Sequence, residues 1–291
     1  MASEMNVENL PDLHNAVAVV AFSGWNDAAS AATDAARFLI RRTGARRFAS
    51  LDPESFYDFA EARPSVSIGR GGVRDVNWAK NEFFYARNPS GAHDLVIGVG
   101  VEPQLAWRKY TSSIQGLFAA VHVGLVVSLG ALLADVPHTR PVRVTGTAAD
   151  PAVAGRLDLT TSKYEGPTGI VGVLHDTFRR ANLPAASLWA NVPHYISTNS
   201  NPIATSALLT RLQTLVDMKF DMRELESAGE RFVKEVDGAL QGNSDVRDYV
   251  RRLESAADEA SDQDPEDSEL PEPEEIIGDI EAWLRGDSGK P

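Results

Sequence analysis

The stretch AASLWANVPHYISTNSNPIATSALL, residues 185–209, decides how this chain is read. Its first seven residues form an apolar run that stops at Val192-Pro193, the pattern of a buried strand. A polar loop with His194, Tyr195 and Asn199 follows. Asn201-Pro202 then opens an apolar helix, because Asn caps free N–H groups with its side chain and Pro has no N–H to leave unpaired in the first turn. A strand ending in a polar loop at a helix N-terminus is a unit of an open α/β sheet. Such sheets bind ligands beyond the carboxyl ends of their strands. The loop after residue 191 is therefore the first candidate site region.

The same grammar extends outward. Residues 16–22, AVAVVAF, read as a buried strand, and residues 28–42 as a helix whose apolar face is Ala32, Ala35, Ala36, Leu39 and Ile40. A strand at 46–51 completes a βαβ unit. Further strands are predicted at 95–101, LVIGVGV, and at 124–129, with helices at 107–121, 168–182 and 202–217. Residues 53–90 hold Pro64, Gly69, Gly71, Gly72 and Pro89 among short strand-like pieces, which predicts an antiparallel hairpin insertion. Residues 145–166 read as loop-rich.

From 221 to 259 the pattern is charged and helical, with a break at Gly242-Asn243, and predicts a helical hairpin packed on the sheet or on another subunit. Residues 255–275 hold no basic residue and almost nothing apolar, so they are expected to be disordered. Within residues 274–285, Ile276, Ile277, Ile280, Trp283 and Leu284 instead form an amphipathic stripe suited to docking. The expected organisation is an α/β core over 1–220 with its insertion at 53–90, a helical hairpin over 221–259, and an acidic tail over 260–291. The expected fold is a three-layer α/β/α arrangement around a mostly parallel sheet of about five strands.

Charge narrows the function classes. The net charge of −13 is concentrated in residues 254–291, with 14 acidic and 2 basic residues, while residues 1–253 hold 27 and 26. Neither part has the basic surplus of a nucleic-acid binder. Without cysteine there are no disulfides, thiolate metal sites or cysteine nucleophiles. No apolar run approaches the ~20 residues that span a bilayer, and residues 1–13 lack the pattern of a secretory signal, so a soluble cytoplasmic protein is expected.

Asp27, Glu102, Asp135, His138, Arg140, His194 and Tyr195 each follow a predicted strand and can converge on one sheet edge. A histidine beside a carboxylate can do general acid–base work. The plainer reading, which we prefer, is helix caps and turns: Asn26 or Asp27 is placed to cap the helix at Ala28, and His138 and His194 sit beside prolines. GRGG at 69–72 lies between two strands, so it reads as a hairpin turn rather than a phosphate cradle. In KYEGPTGIVG, 163–172, Thr168 is placed to cap the following helix, and Gly169 and Gly172 allow close packing. No nucleotide motif, nucleophile elbow or metal-ligand pair is present, so neither a metal nor a cofactor is expected.

GWNDA at 24–28, DVPHTRP at 135–141, TGIVG at 168–172 and the 191–209 segment occur in this order. Together they make the chain resemble the proteasome assembly chaperone 2 family, bacterial and actinobacterial-type, over roughly residues 8–255. The resemblance implies a phosphorylase/hydrolase-like α/β/α fold and a non-enzymatic assembly or interaction factor with a protein partner, proteasome α-subunits being the candidate. Related proteins are thought to engage α-ring pockets through a C-terminal hydrophobic-tyrosine-any tripeptide. This chain ends Gly289-Lys290-Pro291, so the stripe from Ile276 to Leu284 would have to substitute. A homo-oligomer is expected, with the 221–259 hairpin as a contact surface. Two alternatives stay open: a nucleoside phosphorylase/hydrolase-like enzyme using Glu102, Asp135 or His194, and a small-molecule-binding scaffold.

Overall fold

The computed structural model describes residues 4–69, 71–88, 91–162, 164–242 and 244–261; most of the acidic tail, with its apolar stripe from Ile276 to Leu284, lies outside the described residues. In chain order the elements are β1 (Met5–Val7), β2 (Ala16–Ser23), α1 (Ala31–Thr43), β3 (Arg46–Leu51), β4 (Ser65–Ile68), β5 (Arg74–Asn77), β6 (Asn81–Ala86), β7 (Leu95–Val101) and α2 (Trp107–Ala120). Then come β8 (Val123–Ala134), β9 (Val144–Ala148), α3 (Pro151–Leu157), β10 (Thr160–Thr161), α4 (Ile170–Arg180), β11 (Ala185–Pro193), α5 (Pro202–Val216), α6 (Arg223–Leu240) and α7 (Ser244–Ser261).

Strand β2 shows why three layers form. Its side chains alternate: Val17, Val19 and Ala21 enter one core cluster, and Ala16, Ala18, Val20 and Phe22 the other. The first cluster is closed by α1 and α5, the second by α2 and α4. A strand that is apolar at every position needs a helix layer on each side, and each fully buried large side chain contributes about 1.5–3 kcal/mol.

Nine strands make one sheet in the order β1-β3-β6-β7-β2-β8-β11-β9-β10. The four central strands, β7, β2, β8 and β11, are mutually parallel. This is the α/β/α architecture expected, but with more strands than the five read from the sequence, because both flanks are extended, by antiparallel pairs except for the parallel pair β9–β10. On one flank β6 pairs antiparallel with both β7 and β3. As a result β3 does not lie beside β2, although it runs in the same direction: β6, coming out of the insertion, takes a place next to β7. Only β4 and β5 form the separate hairpin, turning where the N–H of Gly69 donates to the carbonyl of Val73 at 2.8 Å.

On the other flank, the segment read as loop-rich contains β9, α3 and β10. These elements are too short for periodicity to reveal, and α3 starts on its own Asp150 cap and Pro151. The expected disorder from 255 onward also begins too early, since α7 continues to Ser261. Its end is held to the sheet edge by contacts that a local reading does not contain.

Candidate functional site

The four parallel strands end on one edge, and the predicted site residues fall there in two groups. The first surrounds the ends of β2 and β7. Asp27 is almost fully buried, and its Oδ1 accepts from the N–H groups of Ala32 (2.8 Å) and Thr33 (3.2 Å). Burial pushes its carboxyl above the usual range, while the bonds from Thr33 and Ala32 oppose that shift. Asp27 is thus the cap of α1, acting across a short 3-10 turn that moves the helix start from Ala28 to Ala31.

Glu102 caps a different helix. Its Oε1 accepts from the N–H of Ile170 at 2.8 Å, the role expected of Thr168, whose hydroxyl instead contacts the carbonyl of Gly169. A carboxylate at a helix N-terminus also meets the positive end of the helix dipole. The glycines on either side have physical reasons. Gly24 has φ +137°, and a Cβ there would lie 3.2 Å from Glu102 Cβ. A Cβ on Gly169 would come within 2.6 Å of Asn26 Nδ2 and 2.9 Å of Glu102 Oε1. GWNDA and TGIVG are therefore two halves of one contact with Glu102 between them. Asn26 is only 4% exposed, and its Nδ2 has no hydrogen-bond partner among the described residues.

The second group lies at the ends of β8 and β11. The Tyr195 hydroxyl accepts from the N–H of His138 (2.9 Å) and lies 2.7 Å from His138 Nδ1, while His138 Nε2 lies 3.1 Å from Asp237 of α6. The consistent proton assignment has Tyr195 donating to Nδ1 and Nε2–H donating to Asp237. Burial raises the Tyr195 phenol above its usual range. Asp135 accepts from the hydroxyl of Tyr249 on α7 (3.1 Å) and lies 3.0 Å from His194 Nδ1. Desolvation, then the bond to Asp135, pushes the Tyr249 phenol up to about 12. The rings of His194, Tyr195 and Tyr249 meet edge to face at 5.8–6.0 Å.

Arg140 grips Asp258 of α7 with two bonds, Nε–Oδ1 at 2.7 Å and Nη2–Oδ2 at 2.8 Å, and reaches Glu254 at 3.3 Å. The same Glu254 accepts from Thr139. The Asp258 carboxyl is held below its usual range by this arginine. Asn199 is exposed in the loop, while the following Ser200 donates to Asp34 at 2.8 Å. Asn201 caps α5 as expected, accepting from Ile203 and Ala204 at 3.1 Å each.

The seven predicted strand-end residues therefore do not form one constellation. Asp27 and Glu102 cap helices, while Asp135, His138, Arg140 and Tyr195 fasten the helical hairpin to the sheet edge. Beneath that hairpin lies a cleft of about 590 Å³ between the ends of β8 and β11, the start of α5, and α6 and α7. Asp135, His138 and Arg140 stand at its polar side, and Val136, Val142, Pro193, Ile203 and Phe232 supply apolar walls.

Sequence reading missed the partners Asp237, Tyr249, Glu254 and Asp258, which carry no motif. It also missed His175, buried against Ser128 at 2.9 Å beside a smaller cavity of about 150 Å³. Among the described residues no group of three or more His, Asp or Glu side chains could hold a metal ion, and no helix is long and apolar enough to cross a membrane.

The sequence model of the PAC2 family matches residues 21–240. Among solved structures, a PAC2 family protein from Streptomyces avermitilis is 44% identical with a TM-score of 0.74, covering 80% of this chain and 99% of that one. A proteasome-assembly chaperone homologue from Mycobacterium tuberculosis is 38% identical with a TM-score of 0.73 and the same coverage. An archaeal proteasome activator from Pyrococcus furiosus shares the fold at 17% identity, with a TM-score of 0.66 over 81% of this chain and 98% of that one. No curated protein matches the chain.

Proposed function

The chain belongs to the PAC2 family, and from that premise we propose that it is a non-enzymatic assembly chaperone or interaction factor, with proteasome α-subunits as the partner to test first. The observation that carries this reading is the 38% identical relative, matched over 99% of its own length and described as a proteasome-assembly chaperone homologue. The site chemistry agrees with it. His138 has both ring nitrogens committed to Tyr195 and Asp237, and Arg140 is committed to α7, so these side chains build a surface rather than meet a substrate. Trp25, 57% exposed, Leu105 and Leu133 lie at or just beyond the ends of the central strands and offer apolar area to a partner. The β4–β5 hairpin, with Val66, Ile68 and Val76 exposed, is a further contact and supports assembly of several copies. The cytoplasm is the compartment where such a partner would be met.

The test is purification from the source cells through a tag on residue 1, with co-eluting proteins identified by mass spectrometry. Stoichiometric α-subunits are the expected result. A homo-oligomer that carries no other protein would overturn the chaperone reading.

A further inference from the structure

The cleft beneath α6 and α7 has most of its polar groups already occupied. Asp135 is taken by Tyr249 and His194, His138 by Tyr195 and Asp237, Arg140 by Glu254 and Asp258, and Asn201 by the first turn of α5. Apart from Arg143 and Asn191, what remains for an occupant is apolar: Val136, Val142, Pro193, Ile203, Phe232 and Ala257. A charged occupant would lose its hydration there with few partners to replace it, whereas aliphatic and aromatic side chains would gain by leaving water.

We propose that this cleft is the docking site of the chain's own C-terminal segment, residues 276–284, which enters it with the stripe of Ile276, Ile277, Ile280, Trp283 and Leu284.

The connectivity selects this occupant over a second copy or a foreign helix. One wall of the cleft is made by Ala256, Ala257 and Asp258 of α7, and the described chain ends at Ser261, one turn further on. Fourteen residues, 262–275, separate that point from Ile276. A linker of that length has a root-mean-square span of about 20 Å, so the stripe is tethered within reach of the cleft. Tethering of this kind gives an effective concentration on the order of millimolar, which a copy free in solution at micromolar concentration does not match. Eight acidic residues among the fourteen keep the linker itself out of an apolar cleft and leave the stripe as the part that enters. The docked segment covers the hairpin side of the strand edge, so a partner that uses this face has to displace it. The inference does not depend on who that partner is, and its failure would leave the proposed function standing.

The absence of cysteine makes a direct test simple. In the full-length chain, the pair Val142→Cys and Ile280→Cys is compared with the pair Ser255→Cys and Ile280→Cys under mild oxidation at low protein concentration. Ser255 is exposed on α7 and is not among the residues that line the cleft. The expected result is an intramolecular disulfide that forms roughly tenfold faster at Val142, an advantage lost when Trp283→Ser is added. Equal rates for the two pairs, or a disulfide-linked dimer as the main product at Val142, would overturn the proposal. Because Val142 is partly buried, a second measurement leaves the cleft untouched. A nitroxide on Ile280→Cys should broaden the Ile203 methyl resonance at low concentration, and an unbroadened methyl would also overturn the proposal.

Discussion

Asp27 acts on backbone that its own sequence neighbourhood supplies, so its role as a cap was legible. Asp27→Ala should lower stability by about 1–2 kcal/mol, read as a fall in Tm, because two first-turn N–H groups lose their acceptor. Glu102 acts on Ile170, 68 residues away, and no local pattern could assign that bond. Gly169→Ala tests the same contact. The new Cβ would press on Asn26 and Glu102, and a loss of about 1–3 kcal/mol is expected; an unchanged urea midpoint would show that the contact yields freely. His175 gives a pH signature. Burial pulls its pKa down from 6.5 to about 4, so in the folded protein it stays neutral where the unfolded chain would already be protonated. Its contribution is therefore fully present above about pH 6.5 and is lost as pH falls toward 4, on the order of 3 kcal/mol at most, since it borders a small cavity. Urea unfolding of the wild type and His175→Asn across that range should show the steeper acid loss in the wild type.

The helical hairpin was legible as two amphipathic helices with a break near Gly242, packed on the sheet or on another subunit, and the structure ties it to the sheet edge. Its placement depends on side chains from separate elements meeting one another: Arg140 with Asp258, His138 with Asp237, Asp135 with Tyr249. The Arg140–Asp258 ion pair is exposed and worth only about 0–1 kcal/mol, so its loss should act on the element rather than on the whole fold. Arg140→Ala should speed amide exchange in α7 while β2 and β8 keep their protection. Arg140→Lys should restore little, because a lysine cannot make the two-bond grip on Asp258. Equal exchange in α7 of wild type and Arg140→Ala would show that the aromatic contacts around Tyr249 suffice by themselves.

For the molecule as a whole, the β4–β5 hairpin stands apart from the main sheet, and Ile68 is 76% exposed. A lone two-stranded hairpin is marginal in water, so an assembly that covers it would stabilise it. Val66→Ser with Ile68→Ser should reduce the mass found by native mass spectrometry while changing the Tm of the dissociated chain little; an unchanged mass would remove this hairpin from the contact. At this scale the division between sequence and structure is clear. Apolar periodicity, capping and charge are properties of near neighbours, and they carry the layered α/β class, the central parallel strands, a cap for α1 at Asn26 or Asp27, the cap at Asn201 and the acidic tail. The place of β6 between β3 and β7, the joining of GWNDA to TGIVG by Glu102, the choice of Asp27 as the α1 cap, and the division of the strand-end residues between helix caps and a clamp on α6 and α7 emerge only in the folded chain. Those outcomes rest on contacts between residues far apart in the chain, and the chain has to fold before such residues can meet.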